Sequence, residues 1–238
     1  MTGTLYLLPT QLGEHAPWPH VLPAETRAMA CRLQHFIVEN AKTTRASLKW
    51  MAHPTPLRDI AIEQLPEPLT EDHINRLLDP LKTGNDVGLM SEAGCPGVAD
   101  PGALLIRHAH ALEIPVKPLV GPSSLLLALM ASGLDGQHFA FHGYLPARDP
   151  ERSRRIAELE KESRHKHQTQ LFIETPYRNQ ALLEALLTSC QPQTLLCLAV
   201  DLTQASETVM TRSIQHWRSG TKPDLNRRPT VFLLLSAR

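Results

Sequence analysis

The sequence predicts an α/β protein of two domains. Short apolar strands alternate with helical patterns through residues 1–145, and the loops that follow those strands are rich in Gly, Pro and Ser. A second alternation begins beyond the aromatic- and Gly-containing segment 139–146, in a more charged composition, so the domains are expected at 1–145 and 146–238. Such alternation implies a mainly parallel sheet, because a helical crossover returns each strand beside its predecessor.

The elements follow in chain order. Residues 3–8 form an apolar run stopped by Pro9, which reads as a buried strand feeding a loop. Residues 23–33 read as a helix, 36–38 as a strand, and 43–51 as a helix ended by Pro54 and Pro56. Thr70 with Glu71 and Asp72 supplies an N-cap and first-turn acids for a helix to about Leu81. A Gly84-Asn85-Asp86 turn precedes a strand over 87–90. A helix over 102–112, a strand over 116–119 and a helix over 123–132, stopped by Gly133, complete the first domain. In the second domain, helices are expected over 150–164 and 179–187, and strands over 169–174, 195–200 and 231–235.

Composition narrows the function. The 24 basic and 24 acidic side chains cancel, so net charge makes no case for a general nucleic-acid binder and leaves only a local basic patch open. Cys31, Cys95, Cys190 and Cys197 contain no Cys-x-x-Cys pair, which argues against a disulfide scaffold or a tetrahedral zinc site. His108 and His110 diverge on a helix, and no metal is expected. No basic stretch precedes an apolar one at the start, and the most apolar run, 125–131, is too short to span a bilayer. A cytoplasmic protein with no membrane partner is expected.

Ligands of parallel sheets gather beyond the carboxyl ends of strands. Three loops stand there, beginning at Pro9, Ser91 and Gly121. In the second, Gly94 and Gly97 flank Cys95-Pro96, so backbone can approach a small molecule closely; a tight strand-to-helix turn with no ligand explains the same residues. In the third, Ser123 is placed to cap the next helix, while the hydroxyls of Ser123 and Ser124 and the free amides there also suit a carboxylate. Neither a Rossmann nor a Walker fingerprint is present.

The order of these motifs is more specific than any one of them. Ser91-Glu92-Ala93-Gly94-Cys95-Pro96-Gly97-Val98-Ala99-Asp100-Pro101-Gly102, then Gly121-Pro122-Ser123-Ser124, then Gly143-Tyr144-Leu145-Pro146 resembles the tetrapyrrole methylase family, the class III S-adenosylmethionine methyltransferases. In that family's ribosomal-RNA ribose 2′-O-methyltransferases the motifs read approximately SDAGTPxISDPG, PGPSA and GFLP. Pro9-Thr10-Gln11-Leu12-Gly13, Val38-Glu39-Asn40 with Thr44-Arg45, and Phe172-Ile173-Glu174-Thr175-Pro176-Tyr177-Arg178 extend the likeness over almost the whole chain.

The resemblance implies the tetrapyrrole methylase fold, two α/β domains with S-adenosylmethionine in a cleft between them, and a homodimer. Carried over by position, it implies that Pro9, Gly94, Cys95, Pro96, Val98, Ser123 and Ser124 bind the cofactor. It adds Glu174 from the second domain, and Thr211 and Thr230 on the adenine side. Cys95 replaces an Asp or Thr of many relatives and reads as an inert thiol, since nothing nearby in sequence would lower its pKa.

A ribose hydroxyl would need a base. Glu39, Asp100 and Glu174 are the carboxylates in matching loops; Glu39, just after a strand, is the first choice, with an ion pair or helix-terminal acid as its bland alternative. Arg45, Arg148 and Arg178 are candidate substrate contacts, although the basic run after Arg148 is interleaved with acids. The family's Glu-Asp-Thr-Arg stands here as Glu39-Asn40-Ala41-Lys42, its following His-containing segment is replaced by residues 58–63, and its C-terminal extension is expected to be missing. Three functions follow: an RNA ribose methyltransferase, a methyltransferase of a tetrapyrrole or other small acceptor, and a non-catalytic member that binds cofactor or RNA.

Overall fold

The computed structural model describes residues 2–13 and 16–237. It divides into two compact units, Met1–Ser123 and Ser124–Arg238.

The first unit is built on strands β1 (Leu5–Leu8), β2 (His35–Val38), β3 (Ala61–Gln64), β4 (Val87–Met90) and β5 (Val116–Pro118), in the order β3-β2-β4-β1-β5. All four pairings are parallel. Helices α1 (Trp18–Val21), α2 (Ala24–Ala30), α3 (Ala41–Trp50), α4 (Glu71–Leu77), α5 (Asp79–Lys82) and α6 (Gly102–Ala111) connect them, with a 3-10 turn at Leu57–Asp59. Strand side chains alternate between two apolar layers. Leu5, Ile37 and Leu89 pack with Leu77 and Leu105 on one face, and Tyr6, Leu8, Phe36 and Val38 pack with Leu48 and Ala30 on the other. The helix expected to run to Leu81 is broken: α4 ends at Leu77 and Pro80 lies in the first turn of α5. Inside a continuous helix the Pro80 ring would clash with the carbonyl four residues earlier.

The second unit comprises α7 (Ser124–Ser132), β6 (Phe139–Tyr144), α8 (Glu151–Lys166), β7 (Thr169–Ile173), α9 (Asn179–Ser189), β8 (Leu195–Val200), β9 (Thr208–Ser213), α10 (Ile214–Ser219) and β10 (Thr230–Leu235). Its sheet has the order β6-β7-β10-β8-β9. Only β6 and β7 run parallel; the other pairings are antiparallel, so this sheet is mixed rather than mainly parallel. One core holds it, including Phe172, Phe232, Leu183 and the fully buried Trp217, whose indole donates to the Leu196 carbonyl at 2.9 Å. The division at Ser123 and Ser124 precedes the boundary expected near Leu145. Strand β6 joins the second sheet through β7, and α7 packs on β8, β9 and β10, so both go with the second unit.

Strands β3, β6 and β9, which the periodicity did not reveal, are all sheet edges. An edge strand need not be apolar on both faces, and β3 is mostly exposed. Among the described residues, no helix is long and apolar enough to cross a membrane.

Candidate functional site

At the carboxyl ends of β1, β4 and β5 the three Gly/Pro-rich loops meet. The Thr10 amide donates to the Gly94 carbonyl at 2.9 Å, and the Cys95 thiol to the Pro122 carbonyl at 3.5 Å. Pro9 lies so near Gly121 that a Cβ there would stand 2.3 Å from its own. Gly94 and Gly97 have φ of +74° and +80°, a left-handed region that glycine enters without steric cost. Asp100 braces the loop, one carboxylate oxygen accepting from the Gly97 amide at 2.7 Å and the Gly102 amide at 2.8 Å. Burial pushes the Asp100 carboxyl above its ordinary range despite these bonds, with the Glu39 charge adding to the rise. Asp100 is therefore occupied in holding the turn.

The structure brings Pro9, Gly94, Cys95 and Pro96 into this one cluster, Pro9 and Pro96 buried and Cys95 half-buried. Burial also raises the Cys95 thiol, which fits an inert side chain. Val98 is 47% exposed on the same loop, an apolar side chain that the core does not cover. Ser123, half-buried, ends the third loop, and Ser124 opens α7. Two polar atoms that the sequence did not single out lie here: the buried Thr10 Oγ1 and Gln11 Oε1 have no hydrogen-bond partner among the described residues. Their signal was available, because both sit in the loop that Pro9 opens. A buried polar atom left unmatched is costly unless a ligand or water satisfies it.

Glu39 follows β2 and is half-buried. Its Oε2 accepts from the Glu92 amide at 2.9 Å, tying the β2 loop to the β4 loop. With Gln64, Leu65, Pro66, Glu67, Leu69 and Pro101 it lines a cavity of about 610 Å³. Gln64 and Glu67 were missed because β3, which ends at Gln64 and leads to Glu67, carries no apolar alternation. Asn40 stands just before α3. Its side chain caps α3 by accepting from the Lys42 amide at 2.9 Å and the Thr43 amide at 3.3 Å, as an Asp would. Arg45 is exposed and returns to the Ala41 carbonyl at 3.2 Å.

In the second unit, the Glu174 side chain is only 3% exposed. One of its oxygens accepts from the Thr175 amide at 2.6 Å and from the half-exposed Arg178 guanidinium at 2.7 Å. Burial pushes this carboxyl up, but the Arg178 and Thr175 hydrogen bonds outweigh it and hold it below its ordinary value of 4.5. The pair's stabilisation is therefore present above that value and lost as pH falls through the lowered folded value. Glu174→Gln should cost about 1–2 kcal/mol at pH 7, and urea midpoints of variant and wild type should converge in acid.

Arg148 is exposed just ahead of α8. Of the neighbouring arginines, Arg152 is paired with Asp149, and Arg155 with Glu158 at 3.2 Å. Thr211 donates to the Ser132 carbonyl at 2.6 Å and Thr230 to the Arg228 carbonyl at 3.0 Å. Thr211 is opposite Cys197 on β8 and Thr230 opposite Val200, three positions apart on that strand, so the sheet does not bring these threonines together. Among the described residues, no group of three or more His, Cys, Asp or Glu side chains is placed to hold a metal ion.

Residues 28–216 match the family model of the Tetrapyrrole (Corrin/Porphyrin) Methylases. The chain is 32% identical over 237 residues to the ribosomal RNA small subunit methyltransferase I of Xylella fastidiosa strain Temecula1, covering 98% of this chain and 81% of that one. To the protein of the same name from Pseudomonas aeruginosa it is 35% identical over 187 residues, covering 77% and 60%. Among solved structures, the methyltransferase CobJ matches with a TM-score of 0.64 at 17% identity, covering 100% of this chain and 95% of that one. The uroporphyrin-III-C-methyltransferase of Thermus thermophilus matches with a TM-score of 0.56 at 19% identity, covering 99% and 93%. These two likenesses speak for the fold, two α/β domains. The family match over most of the length, together with the relatives that share about a third of the residues, shows that this chain belongs to the tetrapyrrole methylase family and is a methyltransferase.

Proposed function

We propose that the chain methylates a ribose 2′-hydroxyl of ribosomal RNA with S-adenosylmethionine as donor. The observation that carries the donor site is the meeting of the β1, β4 and β5 loops, with the unmatched Thr10 Oγ1 and Gln11 Oε1 among them. These residues fit such a group. The left-handed glycines let backbone come close, Pro9, Pro96 and Val98 offer apolar surface, and the orphaned oxygens suit its polar atoms. When bound, the donor supplies a methyl group on a sulfonium, open to in-line displacement.

The remaining work belongs to side chains. Glu39 is the proposed proton acceptor: the Glu92 amide fixes Oε2 and leaves Oε1 for an acceptor hydroxyl in the cavity it lines. Holding both reactants in line is the larger contribution, worth about 7–11 kcal/mol in well-oriented pairs. Support for ribosomal RNA as acceptor comes from the names of the relatives at 32% and 35% identity. The reading includes a cytoplasmic homodimer. Leu126 and Met130, exposed one turn apart on α7, support the dimer, and sedimentation will test it.

The deciding experiment is transfer of tritiated methyl to small ribosomal subunits and their RNA, with porphyrinoid acceptors in parallel and the product mapped by mass spectrometry. Label on a ribose of ribosomal RNA supports the reading. Label only on the porphyrinoids sinks the acceptor, and absence of S-adenosylmethionine binding by calorimetry sinks the donor.

A further inference from the structure

Two loops of the second unit meet on its surface, one after β7 and one before β10. The Arg227 amide donates to the Pro176 carbonyl at 3.1 Å, and the Arg227 guanidinium lies 5.8 Å from the centre of the Tyr177 ring. Tyr177 is 75% exposed. Arg227 has φ of +59°, a left-handed conformation that side-chain-bearing residues avoid, and the Pro176 bond helps hold it there. A second tyrosine, Tyr144, is 58% exposed at the end of β6, in register with Ile173 on β7, four residues before Tyr177.

The charges nearby are sorted unevenly. Arg178 is taken by Glu174 at 2.7 Å and Arg228 by Asp201 at 2.8 Å, while the nearby Asp224 accepts from the Asn226 amide at 2.9 Å. Arg227 is exposed, and among the described residues no ion pair engages it. An exposed aromatic ring with a guanidinium over one face suits a partner that is both planar and anionic. Unpaired RNA has these properties, since its bases stack on aromatic rings and guanidinium planes while its phosphates meet cations.

We propose that Tyr177 and Arg227 form a contact for single-stranded RNA: a base stacks on the Tyr177 ring and Arg227 meets a phosphate. The inference rests on the ribosomal-RNA reading above and adds to it where the substrate strand is held. Tyr177 acts in binding and takes no part in the transfer.

The test uses the full chain and a fluorescein-labelled, mixed-sequence oligoribonucleotide of about twelve nucleotides, within the range of single-strand site sizes. Fluorescence anisotropy should show Tyr177→Ala binding about 5- to 150-fold more weakly, from the ~1–3 kcal/mol that a stacked base contributes. Tyr177→Phe, which keeps the ring, should stay within about twofold on the same stacking argument. Arg227→Gln should reduce the slope of log affinity against log salt by about 0.7, the increment for one phosphate contact on a single strand. With ribosomal substrate, Tyr177→Ala should raise KM and leave kcat near wild type. Unchanged melting temperatures will show that these exposed substitutions leave the fold intact.

Equal losses in Tyr177→Ala and Tyr177→Phe overturn the stacking, as does wild-type affinity in both Tyr177→Ala and Arg227→Gln. A wild-type chain that methylates ribosomal RNA while the variants bind normally overturns this inference alone. A wild-type chain with neither RNA affinity nor transfer to RNA overturns the underlying reading with it. A loss confined to binding of a protein partner assigns the surface to protein and overturns the RNA contact.

Discussion

Glu39→Gln is expected to lower methyl transfer to RNA by about 10²- to 10⁴-fold while leaving donor affinity and melting temperature close to wild type. The choice of glutamine follows from the geometry. Glu39 does two things: one oxygen accepts from the Glu92 amide at 2.9 Å, and the side chain lines the cavity beside the β2 and β4 loops. An amide oxygen can keep the first bond, so the loop tie survives, but a glutamine has no basic oxygen to take a proton. Glu39→Ala removes both functions and should also lower the melting temperature. Single-turnover transfer with saturating donor separates the two roles. If Glu39 only ties the loops, glutamine will be nearly as active as wild type and alanine will fail through instability. That pattern would remove Glu39 from the chemistry.

Gly121→Ala is expected to destabilise the first unit by about 1–3 kcal/mol and to weaken S-adenosylmethionine binding at least about tenfold, with Gly121→Val worse. The added Cβ would lie 2.3 Å from Pro9 Cβ, 2.7 Å from Pro9 Cγ and 3.2 Å from a Leu22 methyl. The Pro9 ring is locked to its own backbone and cannot swing aside. The loop must move instead, away from neighbours that hold it: Val120 accepts from the Thr26 hydroxyl at 2.7 Å and Pro122 from the Cys95 thiol at 3.5 Å. A displacement there opens the meeting of loops on which the proposed donor site depends. Gly136→Ala is the control, since a Cβ at Gly136 meets nothing within 4 Å. Chemical denaturation and calorimetry will measure both effects. Near-wild-type stability and affinity in Gly121→Ala would mean that the Pro9 contact is looser than the structure shows.

Legibility in the sequence tracked burial in most strands; the exposed edge β5, expected at 116–119, is the exception. Strands β1, β2, β4, β7, β8 and β10 were found because buried strands read as short apolar runs between turn residues. The edges β3, β6 and β9 were missed: one face of an edge strand can stay polar, and Thr208–Ser213 contains Thr, Arg and Ser among its few apolar residues. The single helix expected to Leu81 became two because Pro80, overlooked inside the pattern, restarts the turn. The boundary near Leu145 was placed where composition changes, whereas β6 already pairs with the second sheet.

The sequence by itself determined that this is a two-unit α/β chain of the tetrapyrrole methylase family, and that the loop from Ser91 to Gly102 is its most distinctive segment. Those facts reside in residue order and local backbone demands, which a sequence states directly. Only the tertiary structure decided which partners these residues take. It joined Thr10 to Gly94 and set Pro9 against Gly121. It assigned Asp100 to bracing its own loop and Arg178 to Glu174. It also left Tyr177 exposed, with the Arg227 guanidinium over its ring. Hydrogen bonds and ion pairs between loops far apart in the chain depend on ångström-scale placement by the strands beneath them, and no local pattern encodes that.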